Sequence, residues 1–456
     1  MSRKSLVVSS RRVQGVDILS AYSLLSAYDW VLMTIFFTFI PLLSDAMDLI
    51  YQLGIRLYEL AAAVAAPFSE KARFWYRGRK NVFRYLSENV SHDRPLIWVH
   101  CASLGEFEQG RPLIESVKKQ YPQYRVLLTF FSPSGYEIRK NYAQADYICY
   151  LPSDTKAHAR WFVELVKPEK VFFIKYEYWK NYIFELSRQQ IPLYIVSGIF
   201  RRGQLFFQKG PRANWYRNIL SHVDHFFVQN QESARLLEQA GLKNSTITGD
   251  TRFDRVAEIA SNRKDLPLIE KFKGDAFLIV AGSSWAPDEA ILAKYLERNK
   301  QVKMIFAPHE VKESNIRRLL ELLPEKAVRY SAAGDDVHQF RILVIDSIGV
   351  LSSVYRYADL AYIGGGFGVG IHNTLEAAIY HIPVLFGPNY LRFGEAVELA
   401  NRGLAFPVAD EQELAEKLDH VIGNDRLLNE IAEKCNQFMS ENVGATQLVI
   451  EKVFNN

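Results

Sequence analysis

The chain has 456 residues, of which 48% are hydrophobic and 23% are charged, and its formal net charge is +4. This length exceeds what one hydrophobic core usually fills, and the composition excludes a disordered or fibrous protein. The three cysteines, Cys101, Cys149 and Cys435, are widely spaced, which argues against a disulfide framework or a cysteine-based zinc site and favours a reducing compartment. We therefore expect two globular α/β domains.

The first 89 residues contain apolar and basic segments that suggest attachment to a membrane surface. Trp30–Ser44 is uncharged, but its 15 residues are fewer than the roughly twenty that cross a bilayer, and Pro41 interrupts them. A secretory signal is the alternative, although no small-residue cleavage pattern follows. Leu49–Phe68 is a second apolar stretch, and Lys71–Arg84 contains six bases and no acid. We expect these segments to lie on anionic headgroups, while a solvated helix face explains the charges equally well.

From Pro95 onward, short apolar runs alternate with segments of helical length, which predicts parallel sheets. The predicted strands are Leu96–His100, Val126–Phe131, Val171–Ile174, Leu193–Val196, His225–Val228, Phe277–Ala281, Lys303–Ala307, Ile342–Ile345, Leu360–Ile363 and Val384–Phe386. We predict two doubly wound domains, residues 47–256 and 273–456, with a linker at 257–272. Residues 1–46 are either an additional anchor or the result of a start assigned too early.

Ligands of doubly wound sheets bind beyond the carboxyl ends of the strands, so the loops there are candidate sites. Glu106 enters a helix N-terminus, where a carboxylate stays ionised and can act as a general base, although helix capping is the competing interpretation. The loop Lys175–Asn181 suits sugar stacking or a salt-bridged strand end. Arg252 could bind an anionic substrate group, or it could pair with Asp250 or Asp254 on the surface.

The stretch Leu360–Pro388 reads as strand, glycine loop, helix and strand. Gly364–Gly366 would let backbone N–H groups approach a phosphate, although the spacing matches neither the dinucleotide fingerprint nor the P-loop. Glu376 could accept both hydroxyls of a ribose, but a glycine turn with a helix-capping glutamate explains the motif equally well. The loops Ala307–Glu310 and Asp346–Val350 could hold a base and a phosphate from opposite sides.

Together these motifs resemble those of the 3-deoxy-D-manno-octulosonic acid (Kdo) transferases of Gram-negative bacteria, which are glycosyltransferases of the GT-B fold. The resemblance extends from about Met47 to the C-terminus and rests on eight motifs in order. They are SLGEF (Ser103–Phe107), YEYWKN (Tyr176–Asn181), GDTRFD (Gly249–Asp254), APHE (Ala307–Glu310), DSIG (Asp346–Gly349), GGGFG (Gly364–Gly368), HNTLEAA (His372–Ala378) and FGP (Phe386–Pro388). The resemblance implies two Rossmann-like domains around a cleft. It also implies Kdo transfer from CMP-Kdo to a lipid A precursor of the lipid IVA type, at the cytoplasmic face of the inner membrane.

The resemblance also implies roles for individual residues. The general base corresponds to Glu106, the transition-state acid of the ExW motif to Glu177, and the basic residue of the GNxKFD-like motif to Arg252, where lysine is the common type. The CMP-contacting positions correspond to Pro308, His309, Ile348, Gly349, Val350, Asn373, Thr374, Leu375 and Glu376. His309 stands where arginine is frequent, and Val350 where an acid is frequent. The implied reaction inverts the anomeric configuration of the donor. No metal, cofactor or nucleic-acid partner is expected, because positive groups and helix dipoles can hold the leaving monophosphate.

Two other functional classes remain open at this point. Another GT-B enzyme, such as a UDP-sugar transferase or a nucleotide-sugar epimerase, would keep both domains and the ribose contact of Glu376 but would not need Glu106. A non-enzymatic nucleotide-sugar sensor at the membrane would bind the donor and release no CMP. We give the sensor little weight, because acids are present in both first-domain loops.

Overall fold

A computed structural model describes residues 45–262, 264–368 and 370–455. The predicted apolar run at residues 30–44 lies outside the described residues. Residues 45–65 are helical (α1). The remaining helices are α2 (Glu70–Arg79), α3 (Val82–Asn89), α4 (Leu104–Gln120), α5 (Pro133–Arg139), α6 (Lys156–Val166), α7 (Lys180–Arg188), α8 (Pro211–Leu220), α9 (Gln231–Gln239), α10 (Arg252–Ser261), α11 (Pro267–Lys273), α12 (Ala286–Arg298), α13 (Glu313–Leu322), α14 (Leu351–Val354), α15 (Leu375–Ala378), α16 (Gly394–Asn401), α17 (Glu411–Val421), α18 (Asp425–Asn442) and α19 (Ala445–Phe454).

The strands form two sheets of seven, and every strand pair in both sheets is parallel. The first sheet contains β1 (Leu96–Cys101), β2 (Arg125–Phe130), β3 (Tyr147–Tyr150), β4 (Lys170–Ile174), β5 (Leu193–Gly198), β6 (His225–Val228) and β7 (Ser245–Ile247). The second contains β8 (Leu278–Ser284), β9 (Lys303–Pro308), β10 (Val328–Arg329), β11 (Ile342–Val344), β12 (Leu360–Ile363), β13 (Val384–Phe386) and β14 (Ala405–Pro407). Their orders are β3-β2-β1-β4-β5-β6-β7 and β10-β11-β9-β8-β12-β13-β14. The prediction of two doubly wound α/β units is confirmed.

The interior strands are buried on both faces, because helices cover each side of a parallel sheet. All six residues of β1 are buried, and Trp98 at its centre packs against Phe162 of α6 with ring centroids 4.8 Å apart. All ten strands predicted from the sequence are present. The four that sequence reasoning missed, β3, β7, β10 and β14, are the outer strands of the two sheets.

The chain crosses between the two sheets twice. Residues 257–272, predicted as a linker, contain the end of α10 and most of α11, and Ile269 and Phe272 of α11 are buried in the second domain's core. The final helix, α19, then returns to the first domain. Its Val449, Ile450 and Val453 belong to the apolar cluster that also contains residues of β1 and α4. The range 273–456 therefore supplies one helix to the first domain's core.

Helix α1 is fixed to the first domain by polar contacts. The Asp48 carboxylate accepts hydrogen bonds from Lys180 Nζ at 2.8 Å and from Trp215 Nε1 at 2.7 Å. The Tyr51 hydroxyl donates to buried Asp154 at 2.5 Å. Lys180 belongs to the YEYWKN motif, and Asp154 accepts the N–H of Asn181 from the same motif at 3.1 Å, so the sequence that carries this motif also holds α1.

The opposite side of α1 presents large apolar residues to solvent. Leu49 is 70% exposed and Leu57 is 55% exposed, and the spacing of these residues follows the helical repeat. The exposed set is Leu49, Ile50, Leu53, Leu57, Leu60, Val64 and, just after the helix, Phe68. Within the described residues, no helix is long and apolar enough to cross a membrane.

Candidate functional site

Glu106 lies in the first turn of α4, immediately beyond the carboxyl end of β1. Ser103 caps this helix by accepting the Gly105 N–H at 3.2 Å, and its hydroxyl donates to the Glu106 carboxylate. The capping interpretation therefore describes a real contact, because the serine that caps the helix also donates to the carboxylate of its third residue. This contact leaves Glu106 half-buried at the mouth of the first sheet, where it helps to raise the pKa of the Cys101 thiol, after burial itself.

Glu177 follows β4, the strand adjacent to β1, and its side chain is buried. Its Oε2 atom accepts a hydrogen bond from Trp179 Nε1 at 2.7 Å and lies 3.2 Å from His100 Nε2. His100 itself is fully buried in β1. The adjacent loop ends of β1 and β4 thus bring Glu106 and Glu177 to the same edge of the sheet, as the parallel topology requires.

Arg252 begins α10, and it pairs with carboxylates from both domains. Its guanidinium donates to Asp250 Oδ2 from Nε at 2.9 Å and from a terminal nitrogen at 2.7 Å. It also donates to both oxygens of Glu395, at 2.8 and 3.1 Å, from the start of α16 in the second domain. Burial would lower the pKa of Arg252, but the two carboxylates raise it above its usual value. Arg252 is therefore an ionised bridge between domains, and it could bind a substrate anion only if Glu395 released part of the guanidinium.

A cavity of about 190 Å³ lies between the domains beside this bridge. Lys175, Tyr176 and Arg252 line it from the first domain, and Arg392 and Glu395 line it from the second. Burial, and then the nearby Arg252, lower the pKa of Lys175. The cavity is lined by both cations and carboxylates, and Asp250 and Glu395 already pair with Arg252, so Lys175 is a cation of the first domain that suits an anionic ligand there.

Glu106 lies beside this cavity without lining it. Its carboxylate opposes the lowering of the Lys175 pKa and contributes to the raised pKa of Tyr176, whose main cause is burial. Both effects require Glu106 to be near the two side chains. The structure thus gathers Glu106, Lys175, Tyr176 and Arg252 from three separate loops.

The glycine loop after β12 differs from the expected phosphate cradle. The Gly365 N–H donates to buried Asp288 Oδ2 at 2.8 Å, and the N–H groups of Gly368 and Gly370 donate to the Gly365 carbonyl at 3.0 and 2.9 Å. A Cβ at Gly365 would lie 2.4 Å from the Gly370 carbonyl oxygen, and its φ is +92°. The Gly364 N–H likewise donates to the Gly282 carbonyl at 2.9 Å. The expectation that Gly364–Gly366 free their N–H groups for a phosphate is thus wrong for Gly364 and Gly365, where an added Cβ would overlap neighbouring backbone atoms.

Three aromatic rings form a stack at the carboxyl edge of the second sheet. The His309 ring lies 4.2 Å from the His372 ring and 4.8 Å from that of Trp285. Trp285 Nε1 donates to His372 Nε2 at 2.9 Å. Burial, together with His309, lowers the pKa of His372 to about 4. His309 and His372 therefore both lie within an aromatic stack. His372, in a loop, also accepts a hydrogen bond, and neither residue caps a helix.

The other predicted donor positions occupy two neighbouring loops of the second domain. Asn373 Oδ1 accepts the Leu375 N–H, and its Nδ2 donates to Glu376 Oε1, each at 3.1 Å. Burial raises the pKa of Glu376, and the Glu108 carboxylate of α4 contributes to the increase, so Glu376 faces the first domain. Among the described residues, the buried hydroxyl of Thr374 has no hydrogen-bond partner. A ligand bound here could supply one.

The remaining donor positions are more open. Ile348 is 90% exposed, Gly349 has a φ of +89°, and Val350 caps α14 without a side-chain hydrogen bond. Pro308 is buried at the end of β9, where the next N–H, that of His309, donates to the Ser284 carbonyl at 3.0 Å. These loops all lie at the carboxyl ends of β9, β11 and β12, which are close in the sheet order.

Sequence reasoning missed His100, Trp285 and Glu395 as members of the site. His100 is the last residue of the predicted strand Leu96–His100 and the penultimate residue of β1, which is a position where polar side chains reach the ligand edge of a parallel sheet. Trp285 directly follows a strand in the same way. Glu395 carries no comparable signal, because its importance comes from the docking of one domain against the other.

Comparison with known proteins agrees with the motifs. The family model described as 3-deoxy-D-manno-octulosonic-acid transferase (kdotransferase) matches residues 73–255. A 3-deoxy-D-manno-octulosonic acid transferase of Aquifex aeolicus (strain VF5) is 27% identical over 345 residues, which cover 74% of this chain and 88% of the relative. The enzyme of that name from Chlamydia trachomatis serovar D is 24% identical over 413 residues, covering 86% and 95% of the two chains.

Solved structures match the fold at lower identity. UDP-GlcNAc 2-epimerase from Neisseria meningitidis bound to UDP-GlcNAc superposes with a TM-score of 0.56 at 15% identity, covering 79% of this chain and 100% of the other. The S. aureus MnaA–UDP co-structure gives a TM-score of 0.54 at 15% identity, covering 79% and 96%. These likenesses concern the two-domain fold alone. Residues 73–255 thus match the 3-deoxy-D-manno-octulosonic acid transferase family, and relatives of that name span most of the chain at 24–27% identity.

Proposed function

We propose that this enzyme transfers Kdo from CMP-Kdo to a lipid A precursor of the lipid IVA type, with inversion at the anomeric carbon and Glu106 as the general base. The observation that carries the proposal is the grouping of Glu106, Glu177 and Arg252. They extend from three loops of the first sheet, and the cavity beside Arg252 is closed on the other side by the segment of the second domain that contains Arg392 and Glu395.

In this mechanism, Glu106 removes the proton from the acceptor hydroxyl as that oxygen attacks the anomeric carbon, and CMP leaves from the opposite face. A carboxylate within hydrogen-bond reach of the acceptor hydroxyl can serve as this base. Lys175 in the cavity beside it and, once Glu395 yields, Arg252 support binding of the anionic donor.

The second domain supplies the nucleotide site of the proposal. Glu376 would accept the ribose hydroxyls, and the unpartnered Thr374 hydroxyl beside it would gain a partner from the ligand. The stacked rings of Trp285, His309 and His372 offer a flat aromatic surface near a pyrimidine base. Close packing of the glycine loop would hold these groups in place. The phosphate would then be bound by cationic side chains rather than by the N–H groups of the glycine loop.

The exposed apolar side of α1 supports attachment at the cytoplasmic face of the inner membrane. Lys71, Arg77, Lys80 and Arg84 are exposed on the segments that follow α1, which suits anionic headgroups. Arg79 is not one of these exposed bases. Its guanidinium lies 3.9 Å from the Trp75 ring centroid and donates to the carbonyls of Leu151 and Phe131, so that cation is structural.

The transfer reaction is tested by CMP release from freshly prepared CMP-Kdo in the presence of a tetraacylated lipid A precursor. We expect acceptor-dependent release, and a loss of roughly 100- to 10,000-fold in Glu106→Gln with donor binding retained. The matched control is Glu413→Gln. Glu413 occupies the third position of α17, as Glu106 does in α4, and accepts the Ala409 N–H at 2.9 Å, far from the cleft. A general loss of helix capping would affect both variants alike.

Two outcomes would overturn the proposal. Turnover of a UDP-sugar without release from CMP-Kdo would favour another GT-B reaction, either transfer or epimerisation. Donor binding without any acceptor-dependent release would favour a sensor. Equal activity of Glu106→Gln and the wild type would leave the reaction in place but remove Glu106 as the base.

Membrane attachment is tested by co-sedimentation with vesicles of phosphatidylglycerol and of phosphatidylcholine. We expect stronger binding to the anionic vesicles and a marked loss in a Leu53→Glu/Leu57→Glu double variant. Leu322→Glu, which changes an exposed leucine of α13 that is 39% exposed, is the control and should bind like the wild type. Equal binding of the double variant and the control would exclude α1 as the attachment surface.

A further inference from the structure

A chain of hydrogen-bonded side chains leads from the interior of the first sheet through Trp98, Thr129 and His100 to Glu177, and all four are buried. Trp98 Nε1 donates to Thr129 Oγ1 at 2.8 Å, and Thr129 Oγ1 lies 2.8 Å from His100 Nδ1. His100 Nε2 in turn lies 3.2 Å from Glu177 Oε2. Trp98, Thr129 and His100 are all fully buried on adjacent strands β1 and β2. None of these three residues has a role in the mechanism above.

The hydrogens of this chain can be placed from the chemistry of each atom. An indole N–H can only donate, so Thr129 Oγ1 is the acceptor toward Trp98. The hydroxyl hydrogen of Thr129 is then available to His100 Nδ1, which accepts it if that nitrogen is bare. In a neutral imidazole the proton then lies on Nε2, which points at a carboxylate oxygen that can only accept.

The opposite tautomer fits these contacts less well. With its proton on Nδ1, His100 would donate to the Thr129 carbonyl at 3.2 Å, and its bare Nε2 would face Glu177 Oε2 at 3.2 Å. Two lone pairs would then oppose each other in a buried site, where an unmatched polar contact is costly. Trp179 Nε1 also lies 3.2 Å from His100 Nε2 and could donate to it if it were bare, but its closer acceptor is Glu177 Oε2 at 2.7 Å. Because every hydrogen has an acceptor in the first arrangement, the surroundings select the tautomer with the proton on Nε2.

We propose that His100 is a positioning residue for Glu177, and that Thr129 acts through it by fixing the proton on Nε2. Glu177 Oε2 is then held by two N–H donors from different directions, His100 Nε2 and Trp179 Nε1. Among the described residues no hydrogen bond to Glu177 Oε1 is formed, so this oxygen is the one available to a substrate. The interior of the sheet thereby orients a loop carboxylate that would otherwise rotate.

The tautomer is tested by long-range ¹H–¹⁵N NMR on protein labelled with ¹⁵N-histidine, near neutral pH. The His100 signals are assigned by their loss in His100→Gln. We expect a bare Nδ1 and a protonated Nε2 in the wild type and in Thr129→Ser, which keeps the hydroxyl. In Thr129→Val the hydroxyl is replaced by a methyl group of similar size, and we expect the proton to move to Nδ1. A wild-type His100 with a protonated Nδ1, or no change in Thr129→Val, would overturn the inference.

The catalytic consequence rests on the proposed function, whereas the tautomer does not. We expect Thr129→Val to lower kcat roughly 10- to 100-fold with little change in the donor KM, and Thr129→Ser to restore most of the rate. Unchanged kcat in a Thr129→Val protein whose tautomer has switched would refute the positioning role. If the wild type shows the expected tautomer but no release of CMP, the proposed function fails and the hydrogen-bond arrangement stands. Should Thr129→Val not fold, the wild-type and Thr129→Ser spectra still decide the tautomer.

Discussion

The close packing of the glycine loop predicts that Gly365→Ala destabilises the protein for two separable reasons. The backbone at Gly365 is left-handed, with φ of +92°, which costs a residue with a Cβ about 1–2 kcal/mol. The added Cβ would also lie 2.4 Å from the Gly370 carbonyl oxygen, an overlap worth roughly 1–3 kcal/mol. Reduced freedom of the unfolded chain returns about 0.4–1 kcal/mol. We therefore expect a net loss of roughly 1–5 kcal/mol in the free energy of unfolding.

Gly349→Ala is the matched control for this prediction. Gly349 has nearly the same φ, +89°, but no heavy atom beyond its chain neighbours lies within 4 Å of the position of an added Cβ. Its substitution carries only the conformational cost, so the net loss should be about 0–2 kcal/mol. The assay is urea-induced unfolding of both variants, compared by midpoint and slope. Equal losses in the free energy of unfolding would refute the packing argument. A stable Gly365→Ala protein that no longer binds CMP would indicate instead that the loop binds the phosphate.

Three further predictions concern charged groups. Glu395→Gln should lower the free energy of unfolding by roughly 1.5–3 kcal/mol, measured by urea unfolding, because Arg252 loses a charged partner; no change would mean that the domains do not depend on this bridge. Since the pKa of His372 is lowered to about 4, the stability that it contributes is present above about pH 6.5 and is lost toward pH 4. After allowance for its partial exposure the loss is about 1–2 kcal/mol, and His372→Gln should flatten this part of the unfolding-versus-pH curve. Asp154 has its pKa raised to about 6, mainly by burial, so its contribution falls by about 3 kcal/mol as pH rises from about 4 to 7. Tyr51→Phe should steepen that fall, because the Tyr51 hydroxyl lowers the Asp154 pKa, and an unchanged slope would contradict the assignment.

The apolar pattern identified the interior strands of both sheets and none of the outer ones. Interior strands such as β1 are buried on both faces and form continuous apolar runs, which are visible without any knowledge of neighbours. The outer strand β7 reads Ser245–Ile247 with no buried residue, and β10 has only two residues. A short, half-exposed strand is defined by the strand that it pairs with, and a single sequence does not contain that information.

The candidate site divides in the same way. Glu106 and Glu177 were predictable, because each follows an apolar strand and the carboxyl ends of parallel strands meet at one edge. The partners that define their surroundings were not. For Arg252 the sequence left open a substrate anion or a pair with Asp250 or Asp254, and the folded protein pairs it with Asp250 and also with Glu395, 143 residues away. Likewise, Gly364–Gly366 suggested free N–H groups, whereas the structure shows those of Gly364 and Gly365 bonded within the protein.

The sequence by itself therefore determined the class of fold, the interior strands, the order of the motifs and the loops at which chemistry is expected. These properties depend on local composition and on the periodicity of burial along the chain. Only the tertiary structure decided that α19 completes the first domain's core, that His100 supports Glu177 and that Glu395 bridges to Arg252. Each of these contacts joins residues that are distant in sequence, and their distances and hydrogen-bond directions exist only after the two sheets have packed.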